Sequence, residues 1–385
     1  MKNAYEHRPT EAIVDLDALN HNIEVIQQRM KEDQKLYAVV KADAYGHGAV
    51  PIAKAAIRAG AQGLAVATVD EAIHLRKNGI DQLPILVLGL TDPRGVAEIL
   101  LYQISITVSH LDFFEQAYQQ LQATDHLDLL DQSKLNFHLA LDTGMTRIGL
   151  RSKAEIQEFA EGISAYPWAE WEGVFTHFST IGGGPAEYVE HQWEHWQDLL
   201  TAVPESVSLR HYANSAMGLW QKRQPQSDII RYGISMYGLD PKDQYPAPDP
   251  LQPILSLVSE IVYVKEVEAG TRISYGATYT SSDTEWIATI PIGYADGWLR
   301  HYHKLPILVD GQACPVVGVI NMDQLMIRLP KYYPVGTTVT LIGRDGQLEN
   351  HASQMAKEIN TIGYEILTSI SKRVPRVYIQ EGDQS

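Results

Sequence analysis

Tyr37-Ala38-Val39-Val40-Lys41-Ala42-Asp43-Ala44-Tyr45-Gly46-His47-Gly48 runs a β-forming apolar segment into a lysine and then into a glycine-rich loop. A strand that stops at a polar loop and gives way to helical apolar spacing, here over 50–59, is half of a repeating strand-helix pattern. The pattern continues to about residue 235. β-rich runs lie at 36–41, 64–67, 85–88, 105–108, 134–141, 173–176, 208–212 and 229–231, with helical spacing at 50–59, 69–77, 111–121, 153–161 and 188–200. Several helical stretches end at Gly60, Gly79 or Gly162, as left-handed C-caps would. Eight units in series predict a (β/α)8 TIM barrel rather than an open doubly wound sheet. Gly182-Gly183-Gly184 lacks the spacing of a dinucleotide fingerprint and reads as a loop.

The stretch 240–250 is dense in proline and short polar residues and reads as a linker. Beyond it the texture turns to β, at 254–267, 286–291, 305–309, 314–320, 324–329 and 338–342, with one helix near 351–359. The expected organisation is a barrel over 1–245, whose first dozen or so residues can pair with the second domain, and a mainly β domain over 246–385.

The 385 residues are 45% hydrophobic, enough for real cores, and no apolar run is long enough to span a membrane. The first ten residues lack the apolar core of a secretory signal, and Cys314 is the only cysteine. A reducing, cytoplasmic setting, no disulfide and no metal centre are expected. A formal charge of −16 without a basic run argues against nucleic acid and anionic lipid as partners.

A strand-end lysine taken alone is most often a solvated surface residue. Its neighbours change that reading, because barrel active sites collect at the C-terminal strand ends. Lys41 ends the first β run; the fifth leads into Asp142-Thr143-Gly144-Met145-Thr146-Arg147. The sixth ends at His177, the seventh leads to Asn214-Ser215-Ala216, and the eighth to Arg231-Tyr232-Gly233-Ile234. A desolvated amine, cations, a hydroxyl and glycine-exposed amides suit a phosphorylated aldehyde, with Lys41 for the aldehyde and Ser215, Gly233 and Ile234 for the phosphate. That pairing implies pyridoxal 5'-phosphate (PLP).

The motifs A-V-V-K-A-D-A-Y-G-H-G (38–48), L-D-T-G-M with Arg147 (141–147), E-G-V-F-T-H-F (172–178), A-N-S-A (213–216) and R-Y-G-I-S-M-Y-G (231–238) resemble those of alanine racemase. The second domain agrees in order and spacing through S-Y-G-A-T-Y (274–279), I-P-I-G-Y-A-D-G (290–297), N-M-D-Q (321–324), T-I-G-Y-E (361–365) and R-V-P-R (373–376).

The resemblance implies a fold-type-III PLP enzyme working as a homodimer with shared active sites, interconverting L- and D-alanine to supply peptidoglycan. It makes Lys41 the cofactor lysine and base on one face, and Tyr275, from the partner subunit, the base on the other. His177 and Asn214 would join the cofactor shell, Arg231 would face the pyridine nitrogen, and Tyr364, Ser215 and Tyr45 would hold or flank the phosphate. Arg147 and the Met322 amide would hold the substrate carboxylate, and Tyr294 with Tyr364 would narrow the entrance. His47, His138 and Asp323 read as structural. Competing readings are a broader, serine-preferring racemase, a non-catalytic PLP-binding barrel and a PLP decarboxylase. The Tyr275 motif argues against the second and Arg231 against the third.

The chain also departs from the family. Ala140 stands where a carbamylated lysine commonly orients the carboxylate-binding arginine, leaving Asn321 or a bound chloride as candidates to orient Arg147. Gly182 and Val319 replace an acidic residue and an arginine, which predicts a wider, less charged entrance.

Overall fold

The computed structural model describes residues 7–220, 223 and 225–380. They divide into two compact units. One takes the described parts of Met1–Asn22, Tyr45–Gly48 and Tyr237–Ser385, and the other takes Ile23–Ala44 and Ala49–Met236.

The second of these is the barrel. Its sheet runs in the order Leu209–His211, Ala169–Phe175, Leu135–Ala140, Ser105–Val108, Ile85–Leu90, Gly63–Val66, Lys35–Val39, Ile229–Tyr232 and Ala213–Asn214. Every pairing is parallel. The two outer members are one passage of chain interrupted at Tyr212, so the sheet nearly closes on itself as a (β/α)8 barrel. Gly63–Val66, Ser105–Val108 and Ile229–Tyr232 are buried at every position, as expected of strands covered on both faces. Helices Ala49–Arg58, Val69–Lys77, Asp112–Ala123, Lys153–Gly162 and Ala186–Leu200 fall where helical spacing places them. Phe114 anchors one wall, with ring contacts to Phe137, Phe159, Tyr166 and Trp168; each such buried side chain contributes about 1.5–3 kcal/mol. Gly60 and Gly79 adopt positive φ after their helices, but Gly162 stays right-handed because a 3-10 turn, Ile163–Ala165, prolongs its helix.

The other unit is mainly β. Its larger sheet orders Gln312–Cys314, Ile307–Val309, Thr338–Asp345, Leu255–Glu260, Glu11–Asp15 and Arg376–Ile379, with Leu348–Asn350 paired to Thr338–Asp345. Tyr263–Val267, Glu285–Ile290, Leu325–Leu329 and Val316–Val317 form a second sheet. Glu11–Asp15 alternates intermediate and buried residues and pairs with strands on both sides, antiparallel to Leu255–Glu260 and parallel to Arg376–Ile379. The proline-rich stretch is docked rather than a free linker. Tyr245 stacks on His351 at 4.3 Å and its hydroxyl donates to Glu349 at 2.5 Å, while Asp243 accepts the Gly363 amide at 3.0 Å.

Among the described residues no helix is long and apolar enough to cross a membrane.

Candidate active site

The lysine does not end a strand. The strand stops at Val39, and Ala42, Asp43, Ala44 and Tyr45 follow with φ of 51, 54, 54 and 53°, one left-handed turn directly after Lys41. L-residues resist this conformation by roughly 1–2 kcal/mol each. Specific bonds hold it: Glu71 Oε1 accepts the Ala42 amide at 2.6 Å and Asp43 Oδ1 accepts the Ala49 amide at 2.7 Å. Glu71 also takes the Ala67 amide and closes a capping box with Thr68. Burial, then the nearby Arg147 charge, lowers the Lys41 amine below its usual pKa, and Glu71 opposes them.

Around it the barrel unit gathers His177, Asn214, Ser215, Arg231, Gly233 and Ile234. Asn214 caps the helix Ser215–Trp220 by accepting the Met217 amide at 3.0 Å, and its amide nitrogen lies 3.5 Å from His177 Nε2. Ser215 Oγ accepts the Gly233 amide at 2.9 Å, which joins the seventh and eighth strand ends into one cradle. Burial first, then Arg231, Arg147 and Lys41, pulls the His177 imidazole down to about 3, so the ring is neutral. Arg231, 4% exposed, donates to His211 Nδ1 at 2.7 Å and to the Thr176 carbonyl at 2.8 Å; burial and Arg147 pull it down to about 9.

Arg147 is exposed on a loop fixed by Asp142 Oδ1, which accepts the Gly144 and Thr146 amides. Ala140 is buried nearby at a strand end. Among the described residues no carboxylate pairs with Arg147, and Asn321 Oδ1 is a buried acceptor lacking a partner.

The other unit holds the remaining candidates. Gly46 and Gly48 are crowded by protein rather than open to a ligand: added Cβ atoms would lie 2.5 Å from the Leu367 carbonyl oxygen and 2.0 Å from the Tyr378 hydroxyl. Tyr45 packs between Tyr237, at 4.7 Å, and Tyr364, at 6.1 Å, and burial raises both Tyr45 and Tyr364 above the usual phenol value. Backbone bonds from Tyr294 to Asn321 and from Ala295 to Met322 align I-P-I-G-Y with N-M-D-Q. Arg373 of R-V-P-R pairs with both Asp296 and Asp323, which ties it to I-P-I-G-Y-A-D-G and N-M-D-Q. Tyr275 is 76% exposed, and its hydroxyl has no hydrogen-bond partner among the described residues. Its loop is pinned by Ser274 Oγ, which accepts the Val319 amide and donates to the Val319 carbonyl. Only Val319 backbone is used there, so the side chain at 319 is free to vary.

Sequence reasoning missed Gln192. Fully buried on the helix Ala186–Leu200, it accepts the Ser179 amide at 2.9 Å and donates to the His177 carbonyl at 3.1 Å and Thr143 Oγ1 at 3.3 Å. It thereby ties the loops after the fifth and sixth strands. The available signal was a polar residue in register with apolar Val189, Trp196 and Leu199. Glu71 was legible too, as the last member of a Thr-x-x-Glu capping box.

The family model described as alanine racemase, N-terminal domain, matches residues 14–241, and the one described as alanine racemase, C-terminal domain, matches 254–378. An alanine racemase of Ligilactobacillus salivarius is 46% identical over 374 residues, covering 97% of this chain and 98% of that protein. The crystal structure of alanine racemase from E. faecalis superposes with a TM-score of 0.92 at 42% identity, covering 98% of this chain and 100% of the other. A histidine racemase from Leuconostoc mesenteroides subsp. sake gives 0.89 at 32% identity, covering 99% and 100%. With both halves of its sequence matched in order and its barrel and β unit superposing on solved members, the chain belongs to the alanine racemase family.

Proposed function

We propose that the protein is a PLP-dependent alanine racemase acting as a cytoplasmic homodimer with shared sites. The observation that carries this reading is the convergence of Lys41, Arg147 and Arg231 on a neutral His177, beside the Ser215 hydroxyl. Cations that depress one another's protonation call for an anion, and this donor set fits an aldehyde-bearing phosphate together with a carboxylate substrate.

PLP, when bound, supplies an aldehyde for a lysine and an electron sink for charge left at a substrate α-carbon. The chain's own residues do the rest. Lys41, its amine lowered by burial, holds the cofactor and moves a proton on one face of the α-carbon. Tyr275 of each subunit moves the proton on the opposite face in the other subunit's site; its exposure leaves the hydroxyl free to do so. Two bases on opposed faces are what inversion requires, since one base returning its own proton favours retention. The neutral His177 ring, with a lone pair to offer, is the group that couples to the Tyr275 hydroxyl by accepting a hydrogen bond.

With PLP bound, Arg231 would face the ring nitrogen as a donor only, which would leave that nitrogen unprotonated and the ring a weaker electron sink, favouring reprotonation over side reactions. Ser215, Asn214, Gly233, Ile234, Tyr45 and Tyr364 hold or flank the phosphate; Arg147 and the Met322 amide take the substrate carboxylate; Tyr294 and Tyr364 restrict the side chain to one near methyl size.

Incubation of the PLP-loaded protein with L-alanine in deuterated water tests this. Loss of optical rotation with α-deuterium in both enantiomers is expected; binding of PLP without exchange would refute it. The histidine racemase neighbour gives a specific reason to run L-histidine and L-serine alongside. Faster exchange of either would favour the broader-specificity reading.

A further inference from the structure

The motif E-G-V-F-T-H-F contains two residues, Glu172 and Gly173, that the reaction above does not use. In the barrel wall, Phe137 lies opposite Trp171 and His138 opposite Gly173, so Glu172 is the extra residue of a β-bulge. Bulges re-aim a side chain. Here the carboxylate is aimed along the sheet: Glu172 accepts from Ser105 Oγ at 2.9 Å and Asn136 Nδ2 at 2.9 Å, with His138 Nε2 at 3.6 Å. At the neighbouring position a Cβ would come within 2.5 Å of His138 Nδ1, so glycine alone leaves room for that ring.

His138 continues inward. Its Nδ1 lies 2.8 Å from His211 Nε2, and His211 Nδ1 lies 2.7 Å from Arg231 Nη1. The rings are 1% and 0% exposed, and Phe175 closes one side, stacking on His211 at 5.1 Å and lying 5.3 Å from the guanidinium. Buried polar atoms must be paired, and both ends of this line have only one role. The guanidinium can only donate, so His211 Nδ1 accepts. The neutral ring then carries its proton on Nε2 and donates to His138 Nδ1. His138 in turn carries its proton on Nε2, facing a carboxylate that can only accept.

We propose that Glu172 and His138 are positioning residues of the reaction, which through His211 fix both the proton arrangement and the orientation of Arg231. Burial, then the Arg231 charge, holds His211 well below its usual pKa and therefore neutral. Burial pushes the Glu172 carboxyl up, while the His138 ring beside it and the Ser105 hydroxyl bring it below the usual carboxylate range. With Nη1 given to His211 and Nη2 to the Thr176 and Tyr212 carbonyls, the guanidinium plane is held by protein alone. Its remaining N–H groups are then fixed donors for the ring nitrogen, a consequence that rests on the racemase reading.

The test begins without cofactor or turnover. Long-range ¹H–¹⁵N spectra of the ¹⁵N-histidine-labelled protein at about pH 8 should show His138 and His211 as single, neutral Nε2–H tautomers. An Nδ1–H tautomer or an imidazolium at either ring overturns the proposal and leaves the racemase reading untouched. In E172Q, His138 should populate both tautomers, the absorption band of bound PLP should move, and kcat should fall about tenfold with KM within about twofold, the lower end of what orienting partners contribute. E172D should restore part of the loss. A folded E172Q with unchanged tautomers and band overturns the proposal, and if that variant does not fold the wild-type spectra decide alone.

Discussion

Lys41, Arg231 and Ser215 sit among buried, bonded groups: a left-handed turn held by Glu71, a guanidinium tied to three protein acceptors, a hydroxyl already bonded to the Gly233 amide. Tyr275 is the opposite, 76% exposed with no partner for its hydroxyl, and Met322, Ile362 and Tyr294 are 52%, 52% and 39% exposed in the same unit. One region is held by bonds within the barrel unit. The other presents its chemistry outward on a loop pinned by Ser274, the arrangement that the proposed donation to a neighbouring subunit requires. The contrast teaches that buried, bonded groups and an exposed hydroxyl serve different parts of the proposed reaction.

The largest effect should come from the buried region. K41A should lower alanine racemisation by about 1,000-fold or more, since it removes both a cofactor anchor and a proton-transfer group; polarimetry with a circular-dichroism check of folding measures it. Y275F should cost about 100–1,000-fold while leaving PLP binding intact, because in the proposed function the tyrosine moves a proton and does not hold the cofactor. Equal loss of PLP from both variants would break the comparison.

Rigidity of the tyrosine loop is testable through Gly318, at φ 74°, where a Cβ would meet Ser274 Cβ at 2.2 Å. G318A should destabilise the protein by about 1–3 kcal/mol in denaturant titrations and reduce turnover without altering the PLP spectrum. Acid should act on the buried region. His177 lies at about 3 folded against 6.5 for the free group, so the unfolded state takes up a proton that the folded state refuses. Its contribution is complete above 6.5 and declines by about 1.4 kcal/mol per pH unit as pH falls toward 3. Unfolding midpoints of wild type and H177N at pH 7 and 5 should diverge on the acid side, with the wild type losing more. Smallest of all, K134A removes an ion pair with Glu170 whose side chains are 58% and 52% exposed, and should change stability by no more than about 0.5 kcal/mol.

The barrel was legible because its short β-rich runs alternate with helices of clear period, and Ile85 to Leu88 and Ser105 to Val108 are strands as read. The left-handed turn after Lys41 was not, since alanines resist positive φ; bonds to the distant Glu71 and from Ala49 to Asp43 hold it. The strand Arg376–Ile379 and the helix Gly363–Ser369 escaped because both depend on pairings with residues far along the chain, the first with Glu11–Asp15 and the second with Asp243. The barrel candidates Lys41, His177, Ser215 and Arg231 were readable as chemistry at the ends of β runs, Gln192 only as a polar break in an apolar helix face, and the line from Glu172 to Arg231 needed three dimensions.

The central claim is that each site joins Lys41 of one subunit to Tyr275 of the other, and mixing the two inactive variants tests it directly. When K41A and Y275F subunits are exchanged in equal amounts, half the dimers are mixed and each carries one intact site, so about a quarter of wild-type activity should return. Absence of regained activity, with subunit exchange verified by native mass spectrometry, would contradict the account.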